Sequence, residues 1–362
     1  MEWRNGSNIW NYSYTDLKPD TSVDQRGTVV LFPSCTLLST KEEWRNSADL
    51  LTTVGFRCIL FDWPGWHNRN SPLNWSIEDE VQSRRLVSTM THFAYSALDH
   101  IHSLGEGSSN THIVAAGGHA GVHVRRALSE LGSEGKNGFK SLTCFSPSWR
   151  YYLTRFVPEG YPRKLARRRA IADWLLDNCF VRSRLMFRIY RSKFGLAKLT
   201  RRLYETKLQH DQELLAQKRD IIVRDRPLCI DAAMMSGYFD PVTSTQEFIG
   251  ELLGVDTSRD EADASNDDSD DDDSLLNIKV PNWVKTENRT DSVSETDYAL
   301  NGLRIQLVFP QDVQGLDKKE LGTVCDWARD VPNVTCNEIP GKLFCHEENP
   351  ALAATIIQDF VS

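Results

Sequence analysis

Residues 111–121 read THIVAAGGHAG, and this stretch decides the fold. His112–Ala116 is a short run of apolar residues, which predicts a buried strand. Glycines follow at once, and a helical pattern then continues to Leu131. A buried strand that passes directly into a helix through small residues is typical of an α/β unit with a tight turn.

The same alternation of short apolar runs and amphipathic helices recurs on both sides of this stretch. The other predicted strands are Thr28–Phe32, Arg57–Phe61, Ser141–Phe145, Leu303–Phe309 and Val334–Ile339. Continuous apolar runs of this length are expected in parallel strands, because helices cover both faces of such a sheet. We therefore predict an α/β fold with a mostly parallel sheet flanked by helices.

Helix signals lie between these strands. Thr40-x-x-Glu43 predicts a capping box at the start of a helix that stops near Gly55. Ser76-x-x-Asp79 opens a long helical pattern that ends near Ser103. Two more helices are predicted at Leu316–Ala328 and Ala351–Phe360.

Composition excludes several classes of protein. The 362 residues include 42 basic and 50 acidic residues, a net charge of −8, which argues against general nucleic-acid binding. No apolar run of about 18 residues exists, so we predict no transmembrane segment. The N-terminus has no secretory signal pattern, and no cysteines are spaced as CxxC. We expect a soluble intracellular protein, cytoplasmic or organellar, without a bound metal or other cofactor.

Shifts in composition divide the chain into six segments. We predict an N-terminal extension (1–20), a first part of the α/β core (21–149), a basic helical cap (150–226), a return to the core (227–254), an acidic disordered insertion (255–300) and a last part of the core (301–362).

The basic cap and the acidic insertion have opposite charge. Residues 150–226 hold 20 basic and 8 acidic residues, whereas residues 255–300 hold 14 acidic and 4 basic ones. The cap has a cationic outer face, which is either merely solvated or contacts an anionic membrane surface, an anionic ligand or an acidic protein partner. The acidic insertion itself is another candidate to cover it.

Four motifs together resemble the α/β-hydrolase fold superfamily. They are the loop Pro33-Ser34-Cys35-Thr36 after the first core strand, the turn Asp62-Trp63-Pro64-Gly65, the elbow Gly117-Gly118-His119-Ala120-Gly121 and the C-terminal segment 340–350. The resemblance covers nearly all of the chain apart from the first 20 or so residues and the acidic insertion.

The resemblance implies a nucleophile, a histidine and an acid at three positions, and two of them lack the needed group. His119 occupies the nucleophile position, which we expect to have the strained positive φ of such an elbow, a conformation that His tolerates better than most residues. Leu343 occupies the position of the catalytic histidine, while Asp312 maps to the acid. His346 is interpreted as a structural or surface residue.

Two functions follow from this pattern, and the sequence leaves open whether the protein is an enzyme. The first is a pseudoenzyme that binds a ligand or partner at the degenerate crevice, the ligand being small and either apolar or anionic. The second is a hydrolase of a small ester or acyl substrate, with Cys35 or Ser34 as nucleophile and His119 as base.

Polar and aromatic residues would line the crevice in either case. The candidate ligand-binding residues are Ser34, Asp62, Trp63, Trp66 and Trp149. The tryptophans either line an apolar ligand pocket or seat the cap on the sheet, since Trp buries a large area.

Overall fold

A computed structural model describes twelve ranges of the chain. They are residues 1–5, 8–12, 14–36, 38–65, 85–105, 110–136, 138–148, 192–204, 212–224, 239–255, 303–312 and 318–362. The predicted acidic insertion, apart from Val255, and most of the predicted cap lie outside the described residues.

A seven-stranded sheet organises the described residues. Two N-terminal strands form a separate antiparallel pair, β1 (Glu2–Asn5) and β2 (Asn8–Asn11). The sheet strands are β3 (Thr15–Leu17), β4 (Gly27–Phe32), β5 (Phe56–Leu60), β6 (Thr111–Ala116), β7 (Phe139–Phe145), β8 (Arg304–Pro310) and β9 (Val334–Ile339). Their order is β3-β5-β4-β6-β7-β8-β9, with β3 antiparallel to β5 and every other pair parallel. The predicted fold class is confirmed.

Helices cover both faces of this sheet. The described α-helices are α1 (Arg45–Thr53), α2 (Leu86–Ser103), α3 (Gly118–Ser133), α4 (Lys193–Leu203), α5 (Gln212–Arg224), α6 (Thr245–Leu253), α7 (Lys318–Arg329), α8 (Cys345–Glu348) and α9 (Pro350–Val361). A 3₁₀-helix over Lys41–Trp44 precedes α1. None of the described helices is long and apolar enough to cross a membrane.

Strand β4 shows why the sequence builds this arrangement. All six of its residues are buried, and successive side chains enter opposite cores. Val29 and Leu31 pack with α1 and α9, while Val30 and Phe32 pack with the helices of the other face. A strand buried on both sides has no polar face, as the uninterrupted apolar run predicted.

Described residues of the predicted N-terminal extension pack on the core, and β3 joins the edge of the sheet. Trp3 and Tyr12 are buried against Phe93 of α2, with ring centroids 5.6 and 4.8 Å apart. The Tyr12 hydroxyl also donates a 2.6 Å hydrogen bond to the Asp62 carbonyl oxygen. In the sequence the aromatic rings of this segment stand among several Asn and Ser residues, with Met1, Ile9 and Leu17 as its other apolar residues.

A substitution at Gly121 tests how closely α3 approaches the sheet. A Cβ at Gly121 would lie 2.9 Å from the Cys144 Sγ and 3.2 Å from Leu252 Cδ1. We expect Gly121→Ala to lower the free energy of unfolding by about 1–3 kcal/mol through overpacking. Gly322→Ala in α7 is the matched control, because no atom lies within 4 Å of its added Cβ, and it should stabilise by about 0.5–1 kcal/mol. Denaturant unfolding of both variants measures the difference; equal effects would contradict the close approach.

The buried imidazole of His112 makes the free energy of unfolding depend on pH. Burial, with smaller contributions from Arg304 and Lys140, lowers the pKa of His112 to about 4. The unfolded chain therefore binds a proton here more readily than the folded one between about pH 6.5 and 4, and stability falls as the pH drops through that window. At 1.36 kcal/mol per pKa unit the loss is about 3 kcal/mol.

His112→Gln should remove most of this pH dependence. The measurement is the free energy of unfolding of the two proteins from pH 7 to pH 4. His92→Gln on the exposed side of α2 serves as control. An unchanged slope in His112→Gln would show that His112 does not carry the effect.

Candidate functional site

The candidate residues lie beyond the carboxyl ends of the parallel strands, where open α/β sheets place their ligand crevices. Ser34 follows β4, Asp62 follows β5, His119 follows β6 and Asp312 follows β8. We therefore compared the contacts of each with the chemistry that the sequence suggested.

The turn after β6 differs from the expected elbow. Gly117 has the positive φ, 82° with ψ 150°, and α3 begins at the next residue, so His119 lies inside the first turn of the helix. The expectation of a strained φ at His119 is wrong. A glycine two positions earlier accepts the positive φ without a Cβ penalty, which leaves His119 in ordinary helical geometry.

Gly118 is constrained by close contact. Its added Cβ would lie 2.6 Å from the backbone carbonyl of Ser148, and its N–H donates to that same oxygen at 3.0 Å. The glycines are therefore required by the turn and by the segment that follows β7.

His119 is held by an acidic residue that the sequence analysis missed. Its Nε2 lies 3.0 Å from Asp240 Oδ1, and both side chains are less than a tenth exposed. Phe239 stacks on the imidazole with centroids 5.5 Å apart. Asp240 lies 121 residues from His119, and only its place before Pro241, typical of a loop, marked it in the sequence.

A second histidine follows one helical turn later. His123 Nδ1 lies 2.9 Å from Thr91 Oγ1, and the ring packs against Trp63 and Phe239. Its buried Nε2 has no hydrogen-bond partner among the described residues. Burial, reinforced by Arg126 and His119, lowers the pKa of His123 well below its usual value, so the ring is neutral at physiological pH.

The Ser34–Cys35 loop is also held by internal contacts. The Ser34 N–H donates to Glu43 Oε1 at 2.6 Å, and the Ser34 hydroxyl contacts the Ser39 hydroxyl. Burial and the nearby Glu43 raise the pKa of Cys35 well above its usual value, which disfavours a thiolate. Within the described part of the chain, neither Ser34 nor Cys35 is hydrogen-bonded to His119.

Asp62 and Trp63 have structural partners. The Asp62 carboxylate accepts the Lys41 N–H at 2.7 Å and lies 3.8 Å from the Lys41 ammonium. Trp63 is fully buried and donates its indole N–H to the Pro33 carbonyl oxygen at 2.7 Å. Trp66 and Trp149 lie outside the described residues, so their predicted role stays a prediction.

The C-terminal segment pairs the predicted acid with a lysine. Lys342 Nζ lies 3.8 Å from Asp312 Oδ2, and the Asp312 N–H donates to the Gly341 carbonyl oxygen at 3.1 Å. Leu343, at the position expected for the catalytic histidine, is partly buried against the core. A cation thus lies beside the acid in this region.

No protein-family model and no curated protein matches the sequence. Solved structures do match over almost the whole chain. A hydrolase from Oleispira antarctica is 11% identical over 97% of this chain and 94% of its own, with a TM-score of 0.55. A bromoperoxidase from Bacillus anthracis is 11% identical over 100% and 99%, with a TM-score of 0.57.

The chain has the α/β-hydrolase fold. An enol-lactonase from Burkholderia xenovorans adds a third likeness, 9% identical over 100% of this chain and 99% of its own, with a TM-score of 0.55. These neighbours are named for different activities. The structural likeness shows the α/β-hydrolase fold. Because the identities are so low, the activity has to be argued from the residues of the site itself.

This α/β-hydrolase-fold chain also buries a polar cluster beside the crevice. His346 Nε2 lies 3.3 Å from Glu43 Oε1, and the ring packs 4.3 Å from that of Trp44. His346 is 1% exposed, so it is structural and not a surface residue. Burial raises the pKa of Glu43, although His346 and Lys218 act against that rise.

The predicted capping box is half formed, because Glu43 contacts buried partners and does not cap the helix start. The Thr40 hydroxyl caps the 3₁₀-helix by accepting the Glu42 N–H at 3.1 Å, as an N-cap should. Glu43 instead turns inward to Ser34 and His346, because the buried N–H and imidazole offer stronger partners than the solvated cap.

One lysine ties α5, which falls within the range of the predicted cap, to the core. Lys218 of α5 is 2% exposed, and its Nζ lies 2.8 Å from Glu347 Oε1 and 3.2 Å from the Leu38 carbonyl oxygen. Tyr204 donates its hydroxyl to Glu347 Oε2 at 2.6 Å and stacks on Phe344 at 5.1 Å. A buried charge with these partners anchors α5 to the core.

Lys218→Met should therefore destabilise the protein strongly. Removing the ammonium leaves Glu347 without its cation, at a cost of about 3–5 kcal/mol. Arg45→Met is the matched control, since the Arg45–Asp49 pair is 43% and 53% exposed and should cost less than about 1 kcal/mol. Thermal unfolding of both variants decides the matter: a Lys218→Met protein as stable as Arg45→Met would show that the anchor contributes little.

Proposed function

We propose that this α/β-hydrolase-fold protein lacks a working Ser-His-Asp triad and binds a ligand or partner without turning it over. The observation that carries the proposal is His119 at the nucleophile position, with its Nε2 3.0 Å from a buried carboxylate. An imidazole engaged in this way supplies no hydroxyl or thiol to attack an ester.

The region of the missing base supports the same conclusion. Asp312 lies beside Lys342, whose ammonium also donates to the Arg201 carbonyl oxygen at 3.1 Å. A protonated lysine held by a carboxylate and a carbonyl oxygen cannot accept a proton from a nucleophile. Losing single members of such a triad costs orders of magnitude in rate.

The loop after β4 also supports the proposal that the protein binds without turnover. The Ser34 N–H donates to the Glu43 carboxyl group, so this backbone donor already has a partner within the protein and is not offered to a developing oxyanion. The polar groups described at the crevice hold the fold together, as the pairs of Asp62, His119 and Asp312 illustrate.

The partner we propose is anionic. The predicted cap, residues 150–226, carries 20 basic and 8 acidic residues in a chain whose net charge is −8. Such a local excess attracts an acidic protein surface, an anionic ligand or an anionic membrane surface through long-range electrostatics. Binding through this charge weakens as salt rises, because exposed charges are screened.

The alternative is a hydrolase with a rearranged site. The His119–Asp240 pair favours it, because a carboxylate that orients an imidazole is the arrangement of a general base. Such an enzyme would use Cys35 or Ser34 as nucleophile on a small ester or acyl substrate, and a movement would have to bring either side chain to His119.

Activity-based labelling separates the two functions. We expect a serine-directed fluorophosphonate and a thiol-directed iodoacetamide probe to leave Ser34 and Cys35 unlabelled in the folded protein. The control is a competent serine hydrolase treated identically. Stoichiometric labelling of either residue, together with an esterase turnover that His119→Ala abolishes, would overturn the proposal in favour of the rearranged site.

A further inference from the structure

A cavity of about 640 Å³ lies between α7 and the ends of β8 and β9. Its wall is apolar around Phe309 and Leu321 and polar around Gln311 and Arg329. Two cysteines line it, Cys325 from α7 and Cys336 from β9. Both are free thiols.

These two cysteines differ from the other described ones in exposure. Cys35, Cys58, Cys144 and Cys345 are buried, whereas Cys325 and Cys336 are half-exposed. Burial raises the pKa of Cys58, Cys144 and Cys345 to about 12, which makes them unreactive.

The two cysteines lie on neighbouring elements and face the same cavity. Cys325 and Cys336 both line it, and both are partly buried against the same core cluster. On β9, Val334 and Cys336 are half-buried while Thr335 and Asn337 are exposed, so Cys336 is on the strand face that packs with Cys325 against the core. A short hydrogen-bonded turn over residues 330–333 joins the helix to the strand.

We propose that Cys325 and Cys336 form a reversible disulfide by exchange with a low-molecular-weight disulfide that enters the cavity. One thiolate attacks a sulfur of the small disulfide, which forms a mixed disulfide and releases one small thiolate. The second protein thiolate attacks the protein sulfur of that mixed disulfide, closes the intramolecular bond and releases the other small thiolate. The protein loses two electrons and two protons, and one small disulfide becomes two thiols.

The order of the two steps follows from the surroundings of Cys336. Burial, followed by contributions from Cys325, raises the pKa of Cys336 to about 11, while Arg329 acts in the opposite direction. Cys336 is therefore a poor first nucleophile. We assign the mixed disulfide to Cys325, and Cys336, which lines the same cavity, resolves it.

Glutathione disulfide tests this on the intact full-length protein. After incubation, unreacted thiols are alkylated, and peptides are mapped by mass spectrometry without reduction. The expected product is a Cys325–Cys336 cross-linked peptide, lighter by about 2 Da than the sum of the two reduced peptides, and reversed by added dithiothreitol. Because this measurement uses the unaltered chain, it does not depend on any variant folding.

Two variants test the assigned roles. In Cys336→Ser, glutathione should stay attached to Cys325, because no resolving thiol remains. In Cys325→Ser, Cys336 should react about tenfold more slowly than an unburied cysteine peptide, since its lower thiolate fraction outweighs its higher nucleophilicity. The proposal is overturned if both thiols stay reduced in the unaltered protein, or if Cys325 there keeps its glutathione and no cross-linked peptide forms.

Discussion

The approach of α3 to the sheet is the constraint on which the rest of this structure depends. Gly118 and Gly121 leave no space for a Cβ against the Ser148 carbonyl and the Cys144 sulfur, and Gly117 supplies the positive φ that starts the helix. A sheet covered on both faces permits this only where glycine replaces larger residues, since interiors are close-packed. The position of α3 in turn places His119 beside Asp240 and His123 beside Thr91.

Buried charges are the second organising feature. Glu43 comes from the 3₁₀-helix, His346 and Glu347 from α8, and Lys218 from α5, yet they meet in one cluster among aromatic rings. A charged side chain is costly to bury alone and is tolerable only when partnered. The cluster therefore joins α5 to the core, and its Glu43 carboxyl accepts the backbone N–H of Ser34.

Pairing between polar groups of the protein also determines what the crevice residues can do. An oxyanion hole keeps its hydrogen-bond donors free until substrate arrives, because they must stabilise the charge of the transition state. Here the Ser34 N–H serves Glu43, and two predicted crevice carboxylates lie beside lysines, Asp62 beside Lys41 and Asp312 beside Lys342. The His119–Asp240 pair has the arrangement of a general base, but neither Ser34 nor Cys35 is hydrogen-bonded to His119 in the described part of the chain, which is why we favour binding over turnover.

The sequence by itself determined the fold class, because continuous apolar runs such as Val29–Phe32 and glycines at 117, 118 and 121 act through local chain geometry. It located six of the seven strands of the large sheet to within about two residues, since a buried strand has a local signature, but it did not predict β3 or the β1–β2 pair. It also located the loop ends where the candidate residues lie.

Only the tertiary structure decided what those residues touch. The partner of His119 is 121 residues away, the partner of Glu43 is at His346, and the ring of Trp3 packs on Phe93, contacts that carry no local signal. Likewise, the positive φ lies at Gly117 and not at His119, because glycine has no Cβ and adopts a positive φ without a steric penalty. Periodicity is a property of neighbours in the chain, whereas ion pairs and close approaches depend on how distant segments pack.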